Sequence, residues 1–193
     1  PPERTFVGNG SDEAIDLLFR IFCEPGGDAA IICPPTYGMY RVSADINNIE
    51  VREVPLTGDF QLDVNGVLAA ANERAKLLFI CSPNNPTGNL MRRADVLRLA
   101  AEFPGIVVVD EAYIHFASEP SLASELDAYA NLVVLQTFSK AWGMAGLRVG
   151  IAFAGESIIQ LMNNVKPPYN VSGIAQRAVL DAIGRKGEMD DWA

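Results

Sequence analysis

Short apolar runs alternate with stretches of helical periodicity along the whole chain. Seven runs read as strands: 4–7, 28–33, 49–54, 76–81, 106–109, 132–137 and 148–153. Several are nearly continuous in Val, Ile and Leu, the pattern of strands covered on both faces. Between them, residues 11–23 place Asp12, Asp16 and Arg20 on one helical stripe amid apolar residues, and 94–103 does the same with Asp95, Arg98 and Glu102. In 173–183, the spacing of Ile174, Ala175, Ala178, Val179, Ala182 and Ile183 predicts one buried helical face. Strands alternating with helices predict an α/β fold. Its expected form is a three-layer αβα sandwich around a mostly parallel seven-stranded sheet, filling residues 1–193 as a single domain.

Composition narrows the function. The 193 residues are 49% apolar and 20% charged, which suits one globular core and excludes a disordered tail or a collagen. Fifteen Lys and Arg stand against 24 Asp and Glu, a net charge of -9. With no Lys/Arg cluster there is no basic face for nucleic acid or an anionic membrane, so an anionic ligand needs a local seat. No run approaches the ~18 apolar residues of a membrane span. No charged-then-apolar leader opens the sequence. Cys23, Cys33 and Cys81 are scattered and apolar-flanked, as expected of reduced core thiols in a cytoplasmic protein. His115 is the only histidine, which excludes a His-based metal cluster. Asp110, Glu111 and His115 could form a ligand set, but packing is the favoured reading of His115 and no metal is expected.

In sheets of this kind, ligands bind beyond the carboxyl ends of the strands. GNGSDE (8–13) follows the first run and opens a helix. Its free amides around Ser11 and Asp12 suit a phosphate, although Ser11 is also a good ordinary N-cap. It is not the dinucleotide fingerprint, because Glu13 holds the third glycine position. Asp110 ends the fifth run, either as a fixed negative charge facing a cationic ligand atom or as a cap. Lys140 follows the sixth run in a Ser-Lys-Ala context, either as a desolvated amine able to form an imine or as a lysine reaching solvent. Arg148 is a phosphate fork or a surface ion-pair partner. Tyr37 and Tyr40 flank a turn, where a ring is either core packing or a surface on which a planar cofactor stacks.

In this order, GNGSDEAIDLL, CPPTYGMY, SPNNPTG, VVDEAYIHF and FSKAWGMAGLRVG resemble the fold-type I pyridoxal-phosphate aminotransferases over essentially the whole chain. The specific features are SPNNPTG with Asp110 of DEAY 25 residues after Asn85, and SKA with Arg148 eight residues after Lys140. CPPTYGMY and VGNGSDE favour the histidinol-phosphate branch. The resemblance implies pyridoxal 5'-phosphate as cofactor and amino transfer between glutamate and imidazole-acetol phosphate. Another aminotransferase or a phosphothreonine decarboxylase shares the motifs, and a non-catalytic cofactor-binding or dimerisation module is the reading from another class.

Position by position, Lys140 matches the lysine that bonds to the cofactor, and Asp110 the aspartate on its pyridine nitrogen. Tyr113 and Asn85 match the residues on its phenolic oxygen, and Tyr37 the ring stacked on it. Ser139, Arg148 and the amides around Ser11 and Asp12 match its phosphate cradle. Lys140, Asp110 and Tyr113 are thereby the expected catalytic residues. A buried carboxylate would keep the ring nitrogen protonated, and burial would help release the lysine's proton. Family members are nearly twice this long. The chain therefore resembles their large domain without the N-terminal segment and the C-terminal small domain. The resemblance further implies a homodimer acting on small amino acids and keto acids.

Overall fold

The computed structural model of the chain describes residues 1–192. All seven strands form where the apolar runs place them: β1 Thr5–Asn9, β2 Ala29–Ile32, β3 Glu50–Glu53, β4 Ala75–Cys81, β5 Ile106–Asp110, β6 Leu132–Thr137 and β7 Val149–Ala154. They make one sheet in the order β1-β7-β6-β5-β4-β2-β3. Pairs among β2 to β6 are parallel, while β7 runs antiparallel to both β6 and β1. β7 alone is therefore reversed. Its start lies at the edge where β1, β2, β4, β5 and β6 end.

The helices are α1 Gly10–Phe22, α2 Met39–Ile46, α3 Val64–Ala70, α4 Arg93–Glu102, α5 Glu156–Val165, α6 Gly173–Ile183 and α7 Lys186–Trp192. Alternate strand residues serve opposite cores. Leu77, Phe79, Val108, Val133 and Leu135 face one layer with Ile15 and Leu18 of α1, Tyr40 of α2 and Ile159 of α5. Leu78, Ile80, Val107, Val109 and Val134 face the other with Val67 of α3 and Leu99 of α4. This two-sided burial explains the unbroken apolar runs of β4 to β6 and establishes the three-layer αβα architecture.

Two differences from the periodicity have physical causes. Helices α2, α3, α5 and α7 are not among those it predicts. None exceeds ten residues, so few turns of pattern are available, and α3 declares itself only by its cap, where Asp63 accepts from the Gly66 N–H at 2.9 Å. The buried face of α6 is narrower than expected. Ala175 and Val179 are buried against Phe138, Val149 and Val171, and Ala182 is buried too, whereas Ile174 and Ile183 are 81% and 49% exposed. The helix lays a single stripe on this small cluster, and those two isoleucines lie on either side of it. Among the described residues, no helix is long and apolar enough to cross a membrane.

Candidate active site

The reversal of β7 brings Arg148 to the edge where the other segments converge. All nine residues singled out in the sequence line one cleft there: Ser11, Asp12, Tyr37, Asn85, Asp110, Tyr113, Ser139, Lys140 and Arg148, joined by Cys81, Ala112 and Thr137. The cleft opens to solvent, and the free space over its lining residues is about 540 Å³. Cys81, Asp110 and Thr137 are the last residues of the adjacent strands β4, β5 and β6, and they form its floor.

Asp110 is 2% exposed. Its Oδ2 accepts a hydrogen bond from Tyr40 Oη at 2.8 Å, and its Oδ1 one from the Ala112 N–H at 3.1 Å. Burial pushes its carboxyl up to about 6 from the ordinary 3.8, although those two donors pull the other way. The two readings of this residue thus coexist: it caps the chain two residues on, and it is a buried acid facing the cleft.

At the opposite end α1 begins, with Asn9 as N-cap and no side-chain cap on its first amides. Ser11 is consequently the second helical residue and not the N-cap, which overturns the ordinary-cap alternative. Here Asp12 Oδ2 accepts from Arg148 Nη2 and Asp12 Oδ1 from Tyr37 Oη, each at 3.1 Å. Burial, then Asp12, pushes the Tyr37 hydroxyl up to about 12, so it stays a proton donor. Arg148 adopts a left-handed backbone, φ 53°, a conformation that non-glycine residues hold only under constraint. Gly10 stands beside it at φ +76°, a left-handed backbone that favours glycine, with Arg148 Nη2 2.6 Å from where a Cβ would lie. The Ser139 N–H donates to Thr137 Oγ1 at 3.1 Å, which ties the turn after β6 to the strand end.

Lys140 differs from expectation. It is exposed, because the irregular residues after β6 carry it out of the sheet edge to the mouth of the cleft. Its Nζ stands 5.2 Å from the centroid of the Tyr113 ring. Asn85 and Tyr113 are shared with an adjoining cleft of about 960 Å³.

Glu111, the neighbour of Asp110, serves the fold. It accepts from Ser121 Oγ at 2.5 Å, the Leu122 N–H at 2.7 Å and Gln136 Nε2 at 2.9 Å, which locks the loop after β5. His115 packs edge-on to Trp142 at 6.0 Å. Among the described residues no group of three His, Cys, Asp or Glu could hold a metal. Burial pushes all three cysteines up to about 12, leaving them unreactive. The sequence reading missed two residues of the site. Tyr40 was read for its ring alone, as packing or as a stacking surface, and its hydroxyl went unread. Thr137 was hidden as the end of an apolar strand, although it shares the inward parity of Leu135.

A buried acid, a lysine and an arginine beside an uncapped helix start, all on one edge of a mostly parallel sheet, define an α/β protein equipped for a ligand with a cationic atom, an amine-reactive carbon and an anionic group. Residues 1–192 match the family model for aminotransferase class I and II. The chain belongs to that family. It is 56% identical over 189 residues to a histidinol-phosphate aminotransferase of Cytophaga hutchinsonii, covering 98% of this chain and 54% of that protein. A Bacteroides fragilis protein of the same name is 51% identical over 191 residues, covering 99% and 55%. The crystal structure of histidinol-phosphate aminotransferase from Sinorhizobium meliloti, in complex with pyridoxal-5'-phosphate, superposes with a TM-score of 0.89 at 25% identity, covering 98% of this chain and 52% of that one. The chain spans about half the length of the curated relatives it matches.

Proposed function

We propose that the chain is the large, cofactor-holding domain of a pyridoxal-phosphate aminotransferase that moves an amino group between glutamate and imidazole-acetol phosphate, in histidine biosynthesis. The observation that carries the reading is the convergence of all nine residues on one cleft, with acid, amine and anion seat at separate places in it. The histidinol-phosphate aminotransferases at 51% and 56% identity support the substrate assignment.

When bound, the cofactor supplies a carbonyl carbon that takes up amines and a protonated ring that accepts electrons. The chain's residues do the rest. Lys140 Nζ is the amine that would hold the cofactor at that carbon. With its amine free, Lys140 would be the base at the mouth of the cleft, taking a proton from the substrate α-carbon onto Nζ. Asp110, floored by neutral donors, holds the proton on the ring nitrogen. Tyr113 and Asn85 hold the phenolic oxygen and Tyr37 offers a stacking face. Arg148, Ser139 and the Ser11 and Asp12 amides would hold the phosphate, an anchor independent of Lys140. The net charge of -9 is no obstacle, since this seat is local.

Borohydride treatment of the purified chain with pyridoxal phosphate, followed by peptide mapping, is expected to place the label on Lys140. Label confined to Lys76 or Lys166 would overturn the assignment. The free, buried thiols support a cytoplasmic setting. The complete protein is proposed to be a homodimer. Tyr169, Ile174 and Leu180, at 96%, 81% and 69% exposure, give the isolated chain an apolar surface. It is therefore expected to self-associate in sedimentation runs at tens of micromolar. A monodisperse monomer would count against this.

A further inference from the structure

Tyr40 is a buried hydroxyl that the proposed chemistry leaves unused. It is 0% exposed. Its ring stacks on Phe79 at 4.9 Å and meets Tyr37 edge-on at 5.6 Å. Phenylalanine would fill that space without a polar atom to bury. The hydroxyl is accommodated because Asp110 Oδ2 accepts its hydrogen bond at 2.8 Å.

The character of the donors on Asp110 matters. Tyr40 Oη takes one oxygen and the Ala112 N–H the other, and both are neutral. None of the ion pairs among the described residues includes Asp110. The other titratable groups facing it are Asp12 from α1 and Glu111 from the chain after β5, both acidic, with Cys81 from β4 and Tyr37 from the turn before α2. An arginine in Tyr40's place would hold the carboxylate and cancel its charge. A tyrosine holds it and leaves the charge uncancelled. Each oxygen also keeps a lone pair for a ligand.

We infer that Tyr40 is a positioning residue, whose hydroxyl keeps Asp110 ionised and oriented so that the cleft floor selects a cationic ring nitrogen over a neutral one. The selection rests on the reading that the cleft holds pyridoxal phosphate. The coupling between Tyr40 and Asp110 is a property of the chain alone and can be tested without cofactor.

The test follows the Asp110 carboxyl carbon by NMR across a pH titration of the cofactor-free chain. Three forms are compared: the parent, Tyr40→Phe, and the chain with 3-fluorotyrosine at position 40. Loss of the donor in Tyr40→Phe is expected to raise the Asp110 midpoint by about one pH unit, to a tenfold lower proton concentration. The more acidic fluorinated hydroxyl is a stronger donor and is expected to lower it. A role in packing alone would move neither midpoint, because both replacements keep the ring. Midpoints within 0.2 pH units of the parent in both forms, roughly the scatter of such a titration, would overturn the inference. If Tyr40→Phe does not fold, the fluorinated chain decides by the sign of its change. The second arm measures the affinity of pyridoxal phosphate at pH 5, below both midpoints, where Tyr40→Phe is expected to bind about tenfold more weakly. A shifted midpoint with unchanged affinity would overturn the selection of a cationic ring. Failure of the parent chain to bind pyridoxal phosphate would overturn the cofactor reading and, with it, that selection, whereas the titration decides the coupling by itself.

Discussion

Asp110→Asn is expected to cut turnover of the complete protein about 100-fold while making the cofactor-free chain more stable at neutral pH. The two effects come from one buried charge. In turnover, a charge-assisted hydrogen bond to a ligand cation is worth about 1.5–3 kcal/mol, or roughly 10- to 150-fold. Electron demand on the ring is greatest in the transition state, so the loss falls mainly on turnover rather than on binding. For stability the sign runs the other way. Burial raises the folded carboxyl from the ordinary 3.8 to about 6. The folded chain therefore favours the neutral acid. The resulting stability is complete below about pH 3.8 and is lost as the pH rises through about 6. Above that, ionised Asp110 costs the folded state about 3 kcal/mol, by the difference between those two values. Asparagine removes this cost and keeps the shape, with its carbonyl still able to accept from the Ala112 N–H. The mutant is therefore expected to melt roughly 6–12 °C above the parent at pH 8, with about two thirds of the gap gone at pH 4.5. Single-turnover assays with glutamate on the complete protein, beside melts at the two pH values, check both halves. Turnover within threefold of the parent would remove Asp110 from the chemistry. A melting gap that does not vary with pH would remove the buried charge.

What was legible in the sequence follows from the same architecture. Strands β4 to β6 are covered on both faces, so their apolar runs could not be mistaken for amphipathic helix, and their ends located the chemistry. Arg148 is instructive. It stands at the start of its own strand, so it is reached only as the far end of the segment 138–148 that follows the sixth run, and by its spacing from Lys140. The reversed direction of β7 supplies the physical reason, and pairing direction is not written in an apolar run. Burial was the least legible quantity. Lys140 was expected to be buried and stands exposed, while Tyr40 had no sign in the sequence that its hydroxyl, and not only its ring, was engaged. Both depend on contacts between segments far apart in the chain, such as the 70 residues separating Tyr40 from Asp110. The isoleucines of α6 make the same point: periodicity shows that a face is apolar, and not how much of it finds a surface to cover.

Gly150→Ala is expected to destabilise the chain by about 3 kcal/mol and to disable the phosphate end of the cleft. Gly150 is the second residue of β7, flanked in the sheet by Gly8 of β1 and Thr137 of β6. A Cβ at this position would lie 2.2 Å from Ser11 N and 2.3 Å from the carbonyl carbon of Gly10. Both are backbone atoms in the first turn of α1, so no side chain can rotate aside. The helix start must move away from the sheet. Overpacking of this kind costs typically 1–3 kcal/mol, and the upper end applies where the obstacle is backbone. For a chain of this size that is a fall of roughly 6–12 °C in melting temperature. The displaced atoms include the Ser11 amide, one of the donors assigned to the phosphate, and a shift near 1 Å in a positioned group can cost about 100-fold. The affinity advantage of pyridoxal phosphate over pyridoxal, which lacks the phosphate, isolates that end of the site. It is expected to shrink at least about tenfold in Gly150→Ala, a loss of one charge-assisted hydrogen bond. Gly146→Ala is the control, since a Cβ there meets no atom within 4 Å, and it is expected to match the parent in both measurements. If Gly150→Ala melts with the parent and keeps the full preference for pyridoxal phosphate, then the close approach of α1 to β7 does not build the anion seat, and Arg148 must hold the phosphate without the helix.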